Sequence, residues 1–206
     1  MATPFRRANP TGPTTTDQVI DPCIRNRHNL HRMRDRETHT DNPSEMATRA
    51  DGVVPDTGRQ CDIQAIQDLA IAYGHAVDDR DWSRWQALFT PDAHIDYTSA
   101  GGIAGTPAEL TMWFPDAFAV FEWCMHSMST HEITFTDDNR ATGRVHVFNR
   151  NGVTHDDTSE ILDVGAVYED TYVCRDGAWR FSSRIEHVRY IDGGGFAAML
   201  KDALQM

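Results

Sequence analysis

Three side chains able to move a proton between carbon and oxygen stand at separate points of the chain: Asp78, Tyr97 and His126. A carboxylate beside an imidazole is an acid–base device. It fixes the ring tautomer and steadies the protonated form, while the ring exchanges a proton near neutral pH. A tyrosine hydroxyl can donate to a carbonyl or enolate oxygen. None of this chemistry needs a cofactor. Spacing along the chain does not bring the three together, and each has an ordinary role open to it. Asp78 can simply end a helix, with Asp79 as its competitor; His126 can pack under a loop, and Tyr97 can line a wall. No His-x-His or H-E-x-x-H set occurs, and His155-Asp156-Asp157 reads as a solvated connection, so no metal is expected. Without G-x-G-x-x-G or a phosphate loop, no nucleotide or other cofactor is expected either.

The elements that must position these groups follow from periodicity. Ile63, Ile66, Ala70, Tyr73 and Val77 recur at spacings of three and four, one stripe of an amphipathic helix that ends at Asp78. Asp81 reads as the N-cap of a second helix bearing Trp82, Trp85, Leu88 and Phe89, with Pro91 closing it. A short strand, Ala93 to Thr98, precedes a loop marked by Gly101, Gly102 and Gly105. Thr106-Pro107 opens a third helix reaching about Val120. The period then becomes two. Strands are expected over 124–136, 140–150, 158–174 and 178–191, with turns at Asp137 to Asn139, Asn151-Gly152 and Asp176-Gly177. In the last strand Trp179, Phe181, Ser183, Ile185 and His187 share one face against Arg180, Ser182, Arg184, Glu186 and Val188. Phe196 to Leu204 predicts a short helix. Three helices followed by a meandering antiparallel sheet make an α+β class.

Charge and composition narrow the setting. Residues 1–60 carry nine Arg against eight Asp plus Glu, whereas the remainder carries ten Lys plus Arg against 23 Asp plus Glu. So acidic a body excludes a phosphate-backbone reader, which needs a concentrated positive footprint. The first 60 residues hold six of the nine Pro and a single aromatic, Phe5, too little to bury against the entropy of ordering. They read as a loosely attached leader, 61–192 as the domain and 193–206 as an extension. No apolar run suits a membrane span, and four Cys at 23, 61, 124 and 174 form no dense framework. The expectation is a cytoplasmic protein with neither membrane nor nucleic-acid partner.

The run from Ile66 to Tyr97 (IQDLAIAYGHAVDDRDWSRWQALFTPDAHIDY), His126 to Phe135 (HSMSTHEITF) and Gly165 to Arg184 (GAVYEDTYVCRDGAWRFSSR) together resemble the SnoaL-like branch of the NTF2-like superfamily. That branch includes scytalone dehydratase, the bile-acid 7α-dehydratase and the hexachlorocyclohexane dehydrochlorinase. The resemblance implies a cone of helices closed by a curved, mostly antiparallel sheet around an apolar cavity. It puts Asp78 and His126 at the positions of a catalytic dyad and Tyr97 at that of a carbonyl-polarising tyrosine. Tyr73, Trp113, Trp123, Tyr168 and Arg184 are then expected to bind substrate. A second substrate-side tyrosine is absent, since Val77 precedes Asp78, and a later sheet histidine is missing around Asp163 to Gly165. The base half of a dehydratase site is thus present and the leaving-group half altered. The implied activity is a cofactor-independent, dehydratase-like lyase on a small apolar cyclic substrate of polyketide, terpenoid or steroid-like kind. Isomerase and cyclase chemistry share its first step, and a non-catalytic binding or protein-interaction module is the competing class. A homo-oligomer, trimer or dimer, is expected.

Overall fold

The computed structural model describes residues 57–206; the leader expected over residues 1–60 lies, up to residue 56, outside them. Helix α1 (Thr57–Asp78) buries Ile66, Leu69, Ala70, Tyr73 and Val77, one stripe at helical spacing. Asp62 rather than Ile63 continues that stripe, because its carboxylate accepts the Trp179 indole N–H at 2.9 Å. Arg80 turns the chain with a positive φ of 54°, and Asp81 caps α2 (Trp82–Ala87) by accepting the Arg84 N–H. Pro91 does not close this helix. It lies within β1 (Phe89–Asp96), where the parallel pairing to the last strand slips between Phe89 and His94, and that irregularity leaves room for a residue without an N–H.

A short 3-10 turn (Thr98–Ala100) and the two-residue β2 (Ala104–Gly105) lead to α3 (Pro107–Ala117), extended by a 3-10 turn to Val120. Thr106 and Glu109 form a reciprocal capping box at the start of α3, with Pro107 in the first turn. Four long strands follow: β3 (Phe121–Asp137), β4 (Arg140–His155), β5 (Thr158–Arg175) and β6 (Ala178–Asp192); α4 (Gly195–Leu204) ends the chain. The six-stranded sheet has the order β2-β1-β6-β5-β4-β3, antiparallel except where β1 meets β6. Helices and the inner face of this curved sheet enclose a core rich in aromatics, Trp85, Phe89, Phe114 and Phe181 among them.

Two sequence expectations about the sheet are corrected. Asn151-Gly152 is not a turn: both residues pair within β4, opposite Cys124 and Trp123, and the chain reverses at Asp156 and Asp157, with φ of 48° and 58°. Gly152 serves a close approach, since a Cβ there would fall 2.2 Å from the Trp123 indole nitrogen. Nor does β6 keep one alternation. Its pairing to β5 shifts between Phe181 and Ser183 and again between Val188 and Tyr190. Each extra residue flips the following side chains to the other face. Trp179 and Phe181 therefore point inward, but so do Arg184 and Glu186, while Ile185 and His187 are only partly buried.

Candidate active site

The last turn of α1 packs against β3, and the contact is polar. Asp78 Oδ1 lies 2.6 Å from His126 Nδ1, and the His126 backbone N–H donates to both carboxylate oxygens at 3.1 and 3.0 Å. Two groups of one residue thus hold a single carboxylate, which fixes the ring plane and leaves Nε2 as the nitrogen without a partner among the described residues. The His126 side chain is 6% exposed and Asp78 20%. Asp79, one residue on, is exposed and makes no such contact.

His126 borders a cavity of about 340 Å³ between the sheet and the helices. Tyr73, Val77 and Tyr97 line it beside the histidine. Trp113, Phe114 and Phe118 come from α3 and its extension, Tyr168 and Glu186 from the sheet, and Phe196 and Leu200 from α4. Tyr73 and Tyr97 share a hydrogen bond of 2.8 Å between their hydroxyls. Only one of the two hydrogens is used in it, so the pair keeps a donor for a ligand oxygen. Burial pushes the Tyr97 and Tyr168 hydroxyls well above the usual phenol range, and the neighbouring Tyr73 oxygen adds to it. Both therefore remain donors. Burial likewise pushes the Cys124 thiol up to about 11, so it is no nucleophile.

Two expected substrate contacts are corrected. Trp123 is 43% exposed on the other face of β3, because the alternation that turns Cys124, His126 and Met128 inward turns residue 123 out. Arg184 does not line the cavity but sits beneath it. Wholly buried, it donates from Nε and Nη2 to Asp170 at 2.8 Å each and stacks on Tyr73, Tyr168 and Phe181 with its carbon 4.0–4.3 Å from the ring centroids. Burial works against that charge, and the Asp170 carboxylate overrides it, so the guanidinium stays ionised. Tyr172 donates a hydrogen bond to Asp170 at 2.8 Å and, its one hydrogen spent, accepts one from His131 Nε2 at 3.1 Å. This network holds Tyr73 and Tyr168 from behind.

The sequence reading missed three polar groups of the wall: Asn149 and Asn151 on β4 and Glu186 on β6. The two asparagines follow from strand alternation once β4 continues past residue 150. Glu186 has no such signal, because its orientation depends on the shift at Ser182. Among the described residues no group of three or more His, Cys, Asp or Glu is arranged to hold a metal ion, and no helix is long and apolar enough to cross a membrane.

Comparison with known proteins agrees with this architecture. A model of the SnoaL-like domain matches residues 59–185. An uncharacterized protein of Mycobacterium tuberculosis is 32% identical over 121 residues, 59% of this chain and 81% of that protein. The gamma-hexachlorocyclohexane dehydrochlorinase of Sphingobium indicum is 27% identical over 129 residues, 63% of this chain and 81% of the enzyme. Among solved structures, the hexachlorocyclohexane dehydrochlorinase LinA-type3 of Novosphingobium barchaimii superposes with a TM-score of 0.61 at 21% identity, covering 68% of this chain and 94% of that one. A protein of Novosphingobium aromaticivorans provisionally assigned as a scytalone dehydratase gives 0.58 at 22%, covering 65% and 88%. The two dehydrochlorinases among these relatives are lyases, and the chain has their kind of scaffold. It belongs to the SnoaL-like family, with the α+β cone of the NTF2-like superfamily.

Proposed function

We propose that the chain is a cofactor-independent lyase of dehydratase type acting on a small, mostly apolar cyclic ketone or alcohol. One observation carries this reading: an imidazole held by Asp78 at 2.6 Å, its other nitrogen without a partner among the described residues, at the wall of an apolar cavity. His126 Nε2 takes a proton from the carbon next to a carbonyl, and Asp78 stabilises the imidazolium that results. The Tyr73–Tyr97 pair donates its spare hydrogen to the oxygen on which charge develops, in a chamber that excludes bulk water. Return of that proton from the His126 imidazolium to a departing β-hydroxyl, as the enolate electrons form the C=C bond, expels water and completes a dehydration. Isomerisation and cyclisation share the first step and differ in what the enolate does next. The chamber, at the lower end of the roughly 300–1,000 Å³ of ligand pockets, suits one or two fused rings.

The test is chemical. In D₂O the chain should catalyse exchange of the C2 protons of 1-tetralone and convert 3-hydroxy-1-tetralone to 1-naphthol. His126→Gln should lower both rates by about 10²–10⁴-fold, the usual contribution of a general base. Rates within threefold of wild type in that variant would sink the mechanism. Self-association belongs to the same proposal. Trp123, Met125, Phe148, Ile161 and Tyr190 stand exposed on the long strands, where a second copy would cover them. Sedimentation of wild type against Phe148→Glu would test it, with no change in mass counting against the interface.

A further inference from the structure

Proton abstraction leaves Asn149, Asn151 and Glu186 of the cavity wall unused, and of these only Glu186 can ionise. Glu186 is 6% exposed and lines the chamber, yet its carboxyl accepts no hydrogen bond from any described residue. Its backbone is fixed: Ser99 Oγ donates to the Glu186 carbonyl at 2.8 Å and accepts from the Val188 N–H at 3.2 Å. The charged and titratable neighbours compensate its burial only in part, and none of them hydrogen-bonds the carboxyl. Arg184, two residues earlier, has two of its nitrogens committed to Asp170, Asp96 on β1 is a like charge, and Tyr168, its pairing partner on β5, is a buried phenol. An ionised carboxylate here would be a buried charge with no donor, whereas the neutral acid has one O–H to give.

We propose that Glu186 anchors an oxygen of the substrate: its neutral carboxyl donates a hydrogen bond to a carbonyl or hydroxyl oxygen of a ring in the chamber, so that uncharged oxygenated rings bind while the acid is protonated. Burial, partly opposed by Arg184, raises this acid to about 7, within the range where a cell can switch it. The register places the anchor away from the dyad. His126, Asn149 and Val164 form one cross-strand row, and Glu186, Tyr168 and Val145 another. A ligand held at both would therefore be oriented end to end. The inference rests on the chamber being the substrate site, as proposed above.

The sign is set by linkage. A ligand that needs the proton binds fully below the acid's pKa, and its affinity falls about tenfold per pH unit above it. Calorimetry from about pH 5.5 to 8.5 on wild type, Glu186→Gln and His126→Gln, with 1-tetralone, tetralin and 2-aminotetralin, reads this directly. Wild type should bind 1-tetralone with that falling profile, and its preference for the ketone over tetralin should shrink across the same range. Glu186→Gln should give a flat profile, while His126→Gln keeps the pH dependence despite losing proton exchange. A flat wild-type profile beside intact His126-dependent exchange overturns this inference alone. Tighter binding of 2-aminotetralin with rising pH also overturns it, by making the carboxylate an amine site. Binding of none of the three at any pH overturns both the anchor and the chamber reading. A difference infrared spectrum without ligand should show a neutral carboxyl at pH about 6 that Glu186→Gln removes, and its absence in wild type also overturns the proposal.

Discussion

Asp78 and Asp170 are both carboxylates paired with a basic group, and they do opposite things. Asp170 is 3% exposed and fully engaged: it accepts from Arg184 twice and from Tyr172 once, and every partner is itself packed in aromatic rings. Asp78 is partly exposed and holds a ring whose second nitrogen has no partner among the described residues. A carboxylate whose two oxygens are both spent on buried partners defines shape. Leaving one atom over at the edge of a largely apolar cavity makes a similar pair available to a ligand. The Asp170 network shapes the chamber by fixing Tyr73 and Tyr168 from below; Asp78 orients the imidazole at its wall.

The sharpest break of this contrast is Asp170→Ala, which strands the Arg184 charge in the core. A loss of about 3–5 kcal/mol is expected in urea unfolding, and a loss below about 1 kcal/mol would show that the network is not structural in the way described. Next comes Glu186→Gln, which removes a group raised from 4.5 to about 7 on folding. An acid whose pKa is raised in the native state costs stability as pH rises from the unfolded to the folded value. The variant should therefore gain on wild type between about pH 4.5 and 7, reaching at most roughly 3 kcal/mol and staying level above. A constant gap across that range would mean that the carboxyl does not titrate where its burial places it. Asp78→Asn should keep the fold within about 1.5 kcal/mol yet cut elimination by about 10²-fold; unfolding as severe as that of Asp170→Ala would erase the distinction. The smallest effect is expected for His131→Gln, about 1 kcal/mol for the hydrogen bond to Tyr172. Turnover should be unchanged, which separates this half-buried imidazole from His126.

Much of the frame was legible in the chain, where local chemistry and tertiary structure agree. The stripe through Ile66, Ala70, Tyr73 and Val77, the cap at Asp81, the Thr106-Pro107 start and the Asp176-Gly177 turn each have a local physical cause that packing did not override. The dyad residues were named from a resemblance, and the structure brings them within hydrogen-bond distance. What could not be read depended on register. Asn151-Gly152 has strong turn chemistry, but pairing with β3 and the indole of Trp123 over Gly152 hold it extended. The shift at Ser182 is set by β5, and without it Glu186 would face away from the cavity. Trp123 was expected in the site together with His126, although a strand turns residues three apart to opposite faces.

The last helix starts at Gly194 without a capping side chain of its own. Glu160, on β5, supplies the missing acceptor by taking the Gly195 and Phe196 N–H groups at 2.9 and 3.0 Å, and those bonds hold its carboxyl below the usual range. One wall of the chamber, Phe196 and Leu200, is therefore fastened by a residue 35 positions earlier that never touches the contents. Shortening the chain at Asp192 for convenience in expression would leave the dyad intact and yet yield a vessel open on one side. Selectivities measured on it would describe a different enzyme.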